Sequence, residues 1–148
     1  MIDKEGVMRV LPHRGHMLMV DCVTELEYGR RALGYKDVTD KEFWCDGHFP
    51  NEPIFPGALI IEMMAQICAF AFYKEMETGV TPYLAKVDDV KFVSKVTPKS
   101  RLFAEAVFDV ELAGFFRMKC RAFTDDKTVA KGRLTCYIPP AKESNDCP

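Results

Sequence analysis

The chain lacks most of the features that would assign it at a glance. Neither charge is in surplus: 20 Lys plus Arg stand against 22 Asp plus Glu, a formal charge of -2 at pH 7. No global field therefore draws a phosphate polymer to it, and nucleic-acid binding is not expected. Long apolar runs are missing too. The most apolar stretch, Ala58 to Phe72, holds 13 apolar residues in 15, whereas a bilayer span needs about 20, so it reads as a buried helix and no membrane partner is expected. The six cysteines (Cys22, Cys45, Cys68, Cys120, Cys136 and Cys147) form no C-x-x-C pair. The charged opening MIDKEGVMRVLPHRG has no secretory core. Free thiols in a cytoplasmic protein are the expectation. Repeats and low-complexity tracts are absent, and the expected organisation is one domain over 1–138 with a disordered tail over 139–148.

What is present separates into two periods. Leu102, Ala104, Ala106, Phe108 and Val110 alternate with positions that include Glu105 and Asp109, the period of a half-buried strand. Phe116 to Ala122 and Ala130 to Ile138 repeat the pattern, separated by Asp125-Asp126-Lys127, and the three predict an antiparallel meander. Weaker strand signals cover Met17 to Glu27, Arg31 to Val38 and Tyr83 to Val93. Against these stands one helix, predicted over Ala58 to Glu77 and apolar nearly all round, which must be covered on most sides. The predicted class is α+β: a curved antiparallel sheet of five to six strands wrapped around one long central helix, with a second subunit closing the side left open.

Chemistry concentrates in GHFPNEPIFPGALIIEMMAQ, from Gly47 to Gln66. Pro50, Pro53 and Pro56 make a stiff non-helical loop. Pro56-Gly57 then opens the helix, and Gly57 has no side chain to keep a carbonyl oxygen or anion from the amide donors there. Glu62 and Gln66 are the polar exceptions in the apolar run and, four apart, share a helical face with Ala58, Ala65 and Ala69. Desolvation favours a carboxyl that keeps its proton and acts as an acid, while the nearby helix start favours the anion, and the residues alone do not decide between them. His48, at the head of the loop, supplies a base near neutrality. His13 and His16 have a spacing that could suit a metal, but no third ligand stands nearby, so no metal is expected and capping or surface roles are assigned to them.

These residues resemble a known family, the FabZ-type 3-hydroxyacyl-acyl carrier protein dehydratases of bacterial fatty-acid synthesis. The pattern H-F-P-x-x-P-x-x-P-G-x-x-x-x-E-x-x-A-Q is met at every fixed position from His48 to Gln66, and L-P-H-R is met from Leu11 to Arg14. The chain departs from the family pattern with Asn51 after H-F-P, with Gly15-His16 in place of an aromatic-Pro pair, and with Pro98-Lys99 in place of Pro-Gly. The resemblance implies a hotdog fold and a catalytic pair, His48 and Glu62, completed across a homodimer, with dimers grouped in threes. It also implies that the Gly57 amide holds the thioester carbonyl and that the partner is an acidic acyl carrier protein. Glutamate rather than aspartate at position 62 favours plain dehydration.

On this reading no cofactor is needed. His48 takes the C2 proton, the Gly57 amide steadies the enolate oxygen, and protonated Glu62 protonates the departing hydroxyl. The alternative is that His48 carries the proton to the hydroxyl while Glu62 only polarises it. Gln66, Phe49 and Phe92 are placed beside the substrate, and Met63, Met64, Phe70, Phe92 and Phe103 are candidates for an acyl tunnel. Lys91, Lys95, Lys99 and Arg101 are expected to dock the carrier, in preference to Arg117, Lys119, Arg121, Lys131 and Arg133 on the meander. The competing functions are a hotdog thioesterase and a non-catalytic acyl-thioester binding module.

Overall fold

The structure is a computed structural model and describes residues 1–72 and 80–140. A short helix α1 (Lys4–Val10) and a 3-10 turn (Gly15–Met17) precede strands β1 (Cys22–Glu27) and β2 (Arg31–Val38). Helix α2 (Gly57–Phe72) follows, then β3 (Tyr83–Phe92), β4 (Ser100–Leu112), β5 (Phe115–Phe123) and β6 (Thr128–Tyr137). The strands form one antiparallel sheet in the order β1-β2-β4-β5-β6-β3. This is the hotdog arrangement, with α2 lying in the sheet.

Register explains why the helix can sink so deep. Gly34, Ala104, Ala122 and Ala130 are direct partners across β2, β4, β5 and β6, and a second row pairs Ala32, Ala106, Cys120 and Gly132. Two rows of minimal side chains leave a trough. A Cβ added at Gly34 would stand 2.7 Å from Ile67 Cδ1 of the helix and 2.6 Å from the Cys22 carbonyl, so the contact depends on glycine. Met63, Met64, Ile67 and Phe70 fill the trough and are fully buried, each such side chain contributing about 1.5–3 kcal/mol relative to exposure. The β4–β5 hairpin turns on Ala113 and Gly114, both at positive φ (51° and 83°), the two-residue geometry whose twist matches the flanking strands.

The meander strands lie where alternation puts them. The Met17 to Glu27 expectation is corrected at its start: the strand begins at Cys22, and Leu18, Met19 and Val20 are buried outside any strand. Met19 N–H donates to Gln66 Oε1 at 2.9 Å, so a helix side chain takes the place of a ladder partner. On β4 Leu102, Ala104 and Ala106 are buried while Phe108 and Val110 are exposed, Phe108 packing edge-on against Phe72 at the end of the described part of α2. Residues 73–77 of the expected helix, and 141–148 of the expected tail, lie outside the described residues. Among the described residues no helix is long and apolar enough to cross a membrane.

The two edges of the sheet differ. Ile2 bridges Val23 on the β1 side, with N–H to carbonyl bonds in both directions. Among the described residues β3 has no pairing on its outer side, and it exposes Tyr83, Val87 and Phe92.

Candidate active site

The loop between β2 and α2 is built to hold His48 still. Its N–H donates to the Trp44 carbonyl at 2.7 Å and its own carbonyl accepts from Ile54 N–H at 3.1 Å. The loop is tied across to Val96, whose carbonyl accepts from Phe55 N–H at 2.8 Å, and Trp44 packs edge-on against Phe55. His48 Nδ1 lies 2.8 Å from the Ile54 carbonyl oxygen. A carbonyl can only accept, so Nδ1 carries a proton, and in the neutral ring Nε2 is the nitrogen left to act as a base. Phe49 stacks on the His48 ring at 4.3 Å.

His48, Gly57, Phe92 and Lys95 line one cavity of about 450 Å³. Gly57 begins α2, and a Cβ there would stand 3.1 Å from the Phe92 ring. No described residue accepts from the Gly57 N–H. Gly57 and His48 thus border the same space, and the positive end of the helix dipole adds to the donors at the start of α2.

Glu62 lines a different cavity, of about 320 Å³, with His13, Ala65, Gln66, Ala69 and Cys136. Ala65 and Ala69 supply the open methyl face expected beside the carboxyl; Ala58 is exposed at the helix start. Gln66 Nε2–H donates to Glu62 Oε1 at 2.8 Å and to the Met17 carbonyl at 2.6 Å. His13 Nε2 lies 3.1 Å from the same Oε1. The His13 hydrogen bond, opposed by burial and aided by Gln66, holds the Glu62 carboxyl below the usual carboxylate range. The expectation of a protonated Glu62 is thus corrected: two donors on one oxygen outweigh burial.

His13 is the residue the sequence reading missed. The surface or capping role assigned to it is replaced by a contact with Glu62, while His16 packs on Phe43 at 5.1 Å. The usable signal was the L-P-H-R tetrapeptide itself. Arg14 donates to the carbonyls of Met8, Leu11 and His13, at 2.7–2.8 Å, and so fixes the loop that carries the imidazole. Among the described residues no group of three or more metal-ligating side chains occurs.

Within one chain, then, His48, Gly57, Phe92 and Lys95 are brought together, and Glu62 with Gln66 is placed in a second cavity. Phe49 flanks the first. Of the other basic residues, Lys99 and Arg101 line a third cavity with Asp37 and Asp125. Lys95 pairs with Glu52, Lys99 with Asp40 at 3.5 Å, and Arg101 with Asp37 at 2.7 Å, its guanidinium 3.9 Å over Tyr35. Lys91 stands opposite Lys131 in the β3–β6 register. On the meander, Arg117 and Lys119 pair with Asp109, Arg121 with Glu105 and Arg133 with Asp89. Met63, Met64 and Phe70 belong to the core, and Phe103 stacks on Phe123 outside it.

The model of the FabA-like domain matches residues 11–133. The chain belongs to the FabA-like family. Among relatives of this FabA-like protein, a 3-hydroxyacyl-[acyl-carrier-protein] dehydratase FabZ of Clostridium botulinum (strain Okra / Type B1) is 45% identical over 140 residues, covering 93% of this chain and 96% of the relative. The FabZ of Caldicellulosiruptor saccharolyticus is 39% identical, covering 93% and 99%. Among solved structures, the dehydratase heterocomplex ApeI:P from Xenorhabdus doucetiae superposes with a TM-score of 0.72 over 90% of this chain and 91% of that one, at 19% identity. That likeness is one of fold.

Proposed function

We propose that this FabA-like protein is a 3-hydroxyacyl-acyl carrier protein dehydratase, removing water from a (3R)-3-hydroxyacyl thioester to give the trans-2-enoyl thioester in fatty-acid or related acyl-chain synthesis. The observation that carries the reading is the pairing, in one cavity, of an imidazole with its proton locked on Nδ1 and an unbonded amide donor at a helix start. A C2 proton is acidic only while the thioester oxygen is held as an enolate. His48 Nε2 removes that proton and Gly57 N–H takes the oxygen, a donor worth about 3–4 kcal/mol where single oxyanion donors have been removed.

The hydroxyl end of the reaction falls to Glu62. Since its carboxyl is held as the anion in the unliganded chain, it accepts from the substrate hydroxyl and orients it, and His48 returns the C2 proton to the departing oxygen. No cofactor enters these steps. A second copy, seated along the exposed β3 edge, brings its Glu62 cavity against the His48 cavity of the first, giving composite sites in a homodimer that further associates as a trimer of dimers. Phe49, Phe92 and Gln66 border the acyl path. Lys95 sits at the rim of the His48 cavity, and with Lys91, Lys99 and Arg101 it receives the acidic carrier in the cytoplasm.

Incubating the protein with a 3-hydroxyacyl thioester tests the reaction class. Enoyl absorbance supports the dehydratase reading; free thiol without enoyl product would make the protein a thioesterase; neither would leave a binding module. His48→Ala is expected to keep the fold and to lower the rate by at least about 100-fold.

A further inference from the structure

We propose that His13 is the positioning residue of the Glu62 carboxylate: with Gln66 it pins Oε1, so that Oε2 alone is presented to the substrate hydroxyl. The inference deepens the dehydratase reading and rests on it. An unanchored glutamate rotates about three side-chain bonds and exchanges its two oxygens freely, so orientation must come from its partners. Both described bonds to Glu62 fall on Oε1, and no described residue bonds Oε2.

Each partner is itself fixed. Gln66 is buried, and its Oε1 accepts from Met19 N–H at 2.9 Å, which leaves its NH₂ for the Met17 carbonyl and Glu62. Its amide cannot flip without setting an oxygen against a carboxylate. His13 Nδ1 is buried and has no partner among the described residues. A lone pair on Nε2 would face the Glu62 oxygen, so Nε2 carries a proton and donates. The arrangement reverses that of His48, where Nδ1 is the nitrogen that donates within the protein. One imidazole takes protons; the other holds the group that holds the hydroxyl.

The surroundings add no permanent cation. The polar groups that share the cavity with Glu62 are Gln66 of α2, His13 of the L-P-H-R loop, Thr81, Tyr83 of β3 and Cys136 of β6, and among the described residues no Lys or Arg lines it. An arginine in place of His13 would engage both oxygens and cancel the charge, leaving nothing for the substrate.

Two variants and two readouts decide the matter. In His13→Ala, kcat for a 3-hydroxyacyl thioester is expected to fall about 10- to 100-fold, the scale of a misplaced reacting group, with KM changed by less than about threefold. His13→Gln places an amide N–H within reach of Oε1 and should recover most of kcat. Independently of turnover, the Glu62 carboxyl is followed by NMR titration in ¹³C-glutamate-labelled protein, assigned by the signal lost in Glu62→Gln. Its midpoint should move up in His13→Ala and return toward the starting value in His13→Gln. An unmoved midpoint in folded His13→Ala, or a moved midpoint with unchanged kcat, overturns the proposal. If the unaltered protein makes no enoyl product, the dehydratase reading falls, and the titration still decides whether His13 governs Glu62.

Discussion

Two glutamates, half-buried Glu62 and buried Glu105, mark the difference between a carboxylate placed to act and one placed to hold. Glu105 of β4 gives Oε1 to Arg31 of β2 at 2.7 Å and Oε2 to Arg121 of β5 at 2.5 Å. Burial pushes its carboxyl up, and Arg121 and Arg31 more than reverse this, so it too sits below the usual range. Both oxygens are used, two guanidinium groups balance one charge, and three strands are tied. Glu62 also sits below the usual range, but its donors are an amide and an imidazole, share one oxygen and leave the other unbonded among the described residues, at a carboxyl that lines a cavity. The direction of the pKa shift does not separate the two. What separates them is the count of unbonded oxygens and the kind of donor, two guanidinium groups against an amide and an imidazole.

Substitution by glutamine should sharpen that contrast most. Glu62→Gln is expected to lower kcat by at least about 100-fold with little loss of stability, whereas Glu105→Gln should leave kcat within about twofold and cost about 1–3 kcal/mol in urea unfolding, because the amide keeps one acceptor oxygen and sets its NH₂ against the second guanidinium. Equal kinetic effects from the two would break the comparison. A smaller effect concerns the paired surface cations: Lys95→Glu with Lys99→Glu should reduce kcat/KM for carrier-linked substrate about tenfold, less at high salt, and leave a small free thioester unaffected. The smallest is a matter of pH. Because the folded-state carboxyl of Glu105 is lowered, its contribution is fully present above the ordinary carboxylate range and lost as pH falls through the folded value. The Tm gap between unaltered protein and Glu105→Gln should therefore close on acidification, and a gap that persisted at low pH would mean that packing, not charge, sets it.

Much of this architecture could be read from the residues. The strands β4, β5 and β6 were legible because one face meets α2 and the other meets water, and α2 because it is covered on nearly every side. The buried segment Leu18 to Val20 was not, since its partner is the Gln66 amide and carries no periodic signal. Exposure of Phe108 and Val110 was hidden for the converse reason: alternation along a strand reports which face a residue takes, not how fully that face is covered. In the site, the His48 to Gln66 motif stood out because its prolines, glycine and acid are rare in such order. The ionisation of Glu62 could not be read, since burial is visible in an apolar run but the donors that oppose it are not. His13 was opaque for the same reason, being one imidazole whose partner lies far along the chain. The separation of His48 and Glu62 into two cavities is likewise a property of the closed sheet.

The pairing of β3 with β6 sets an order on synthesis. Leu84 finds its register against Cys136, and Tyr83 against Tyr137, so the segment that follows the helix must wait for the final strand before it is placed. A ribosome that has already released His13, His48 and Glu62 has made every proposed chemical group and still lacks the wall, Thr81 to Leu84 and Cys136, that closes one of the two cavities. Such distant pairings slow folding, and a nascent chain stalled before residue 128 would carry the whole chemistry in a vessel with one side open.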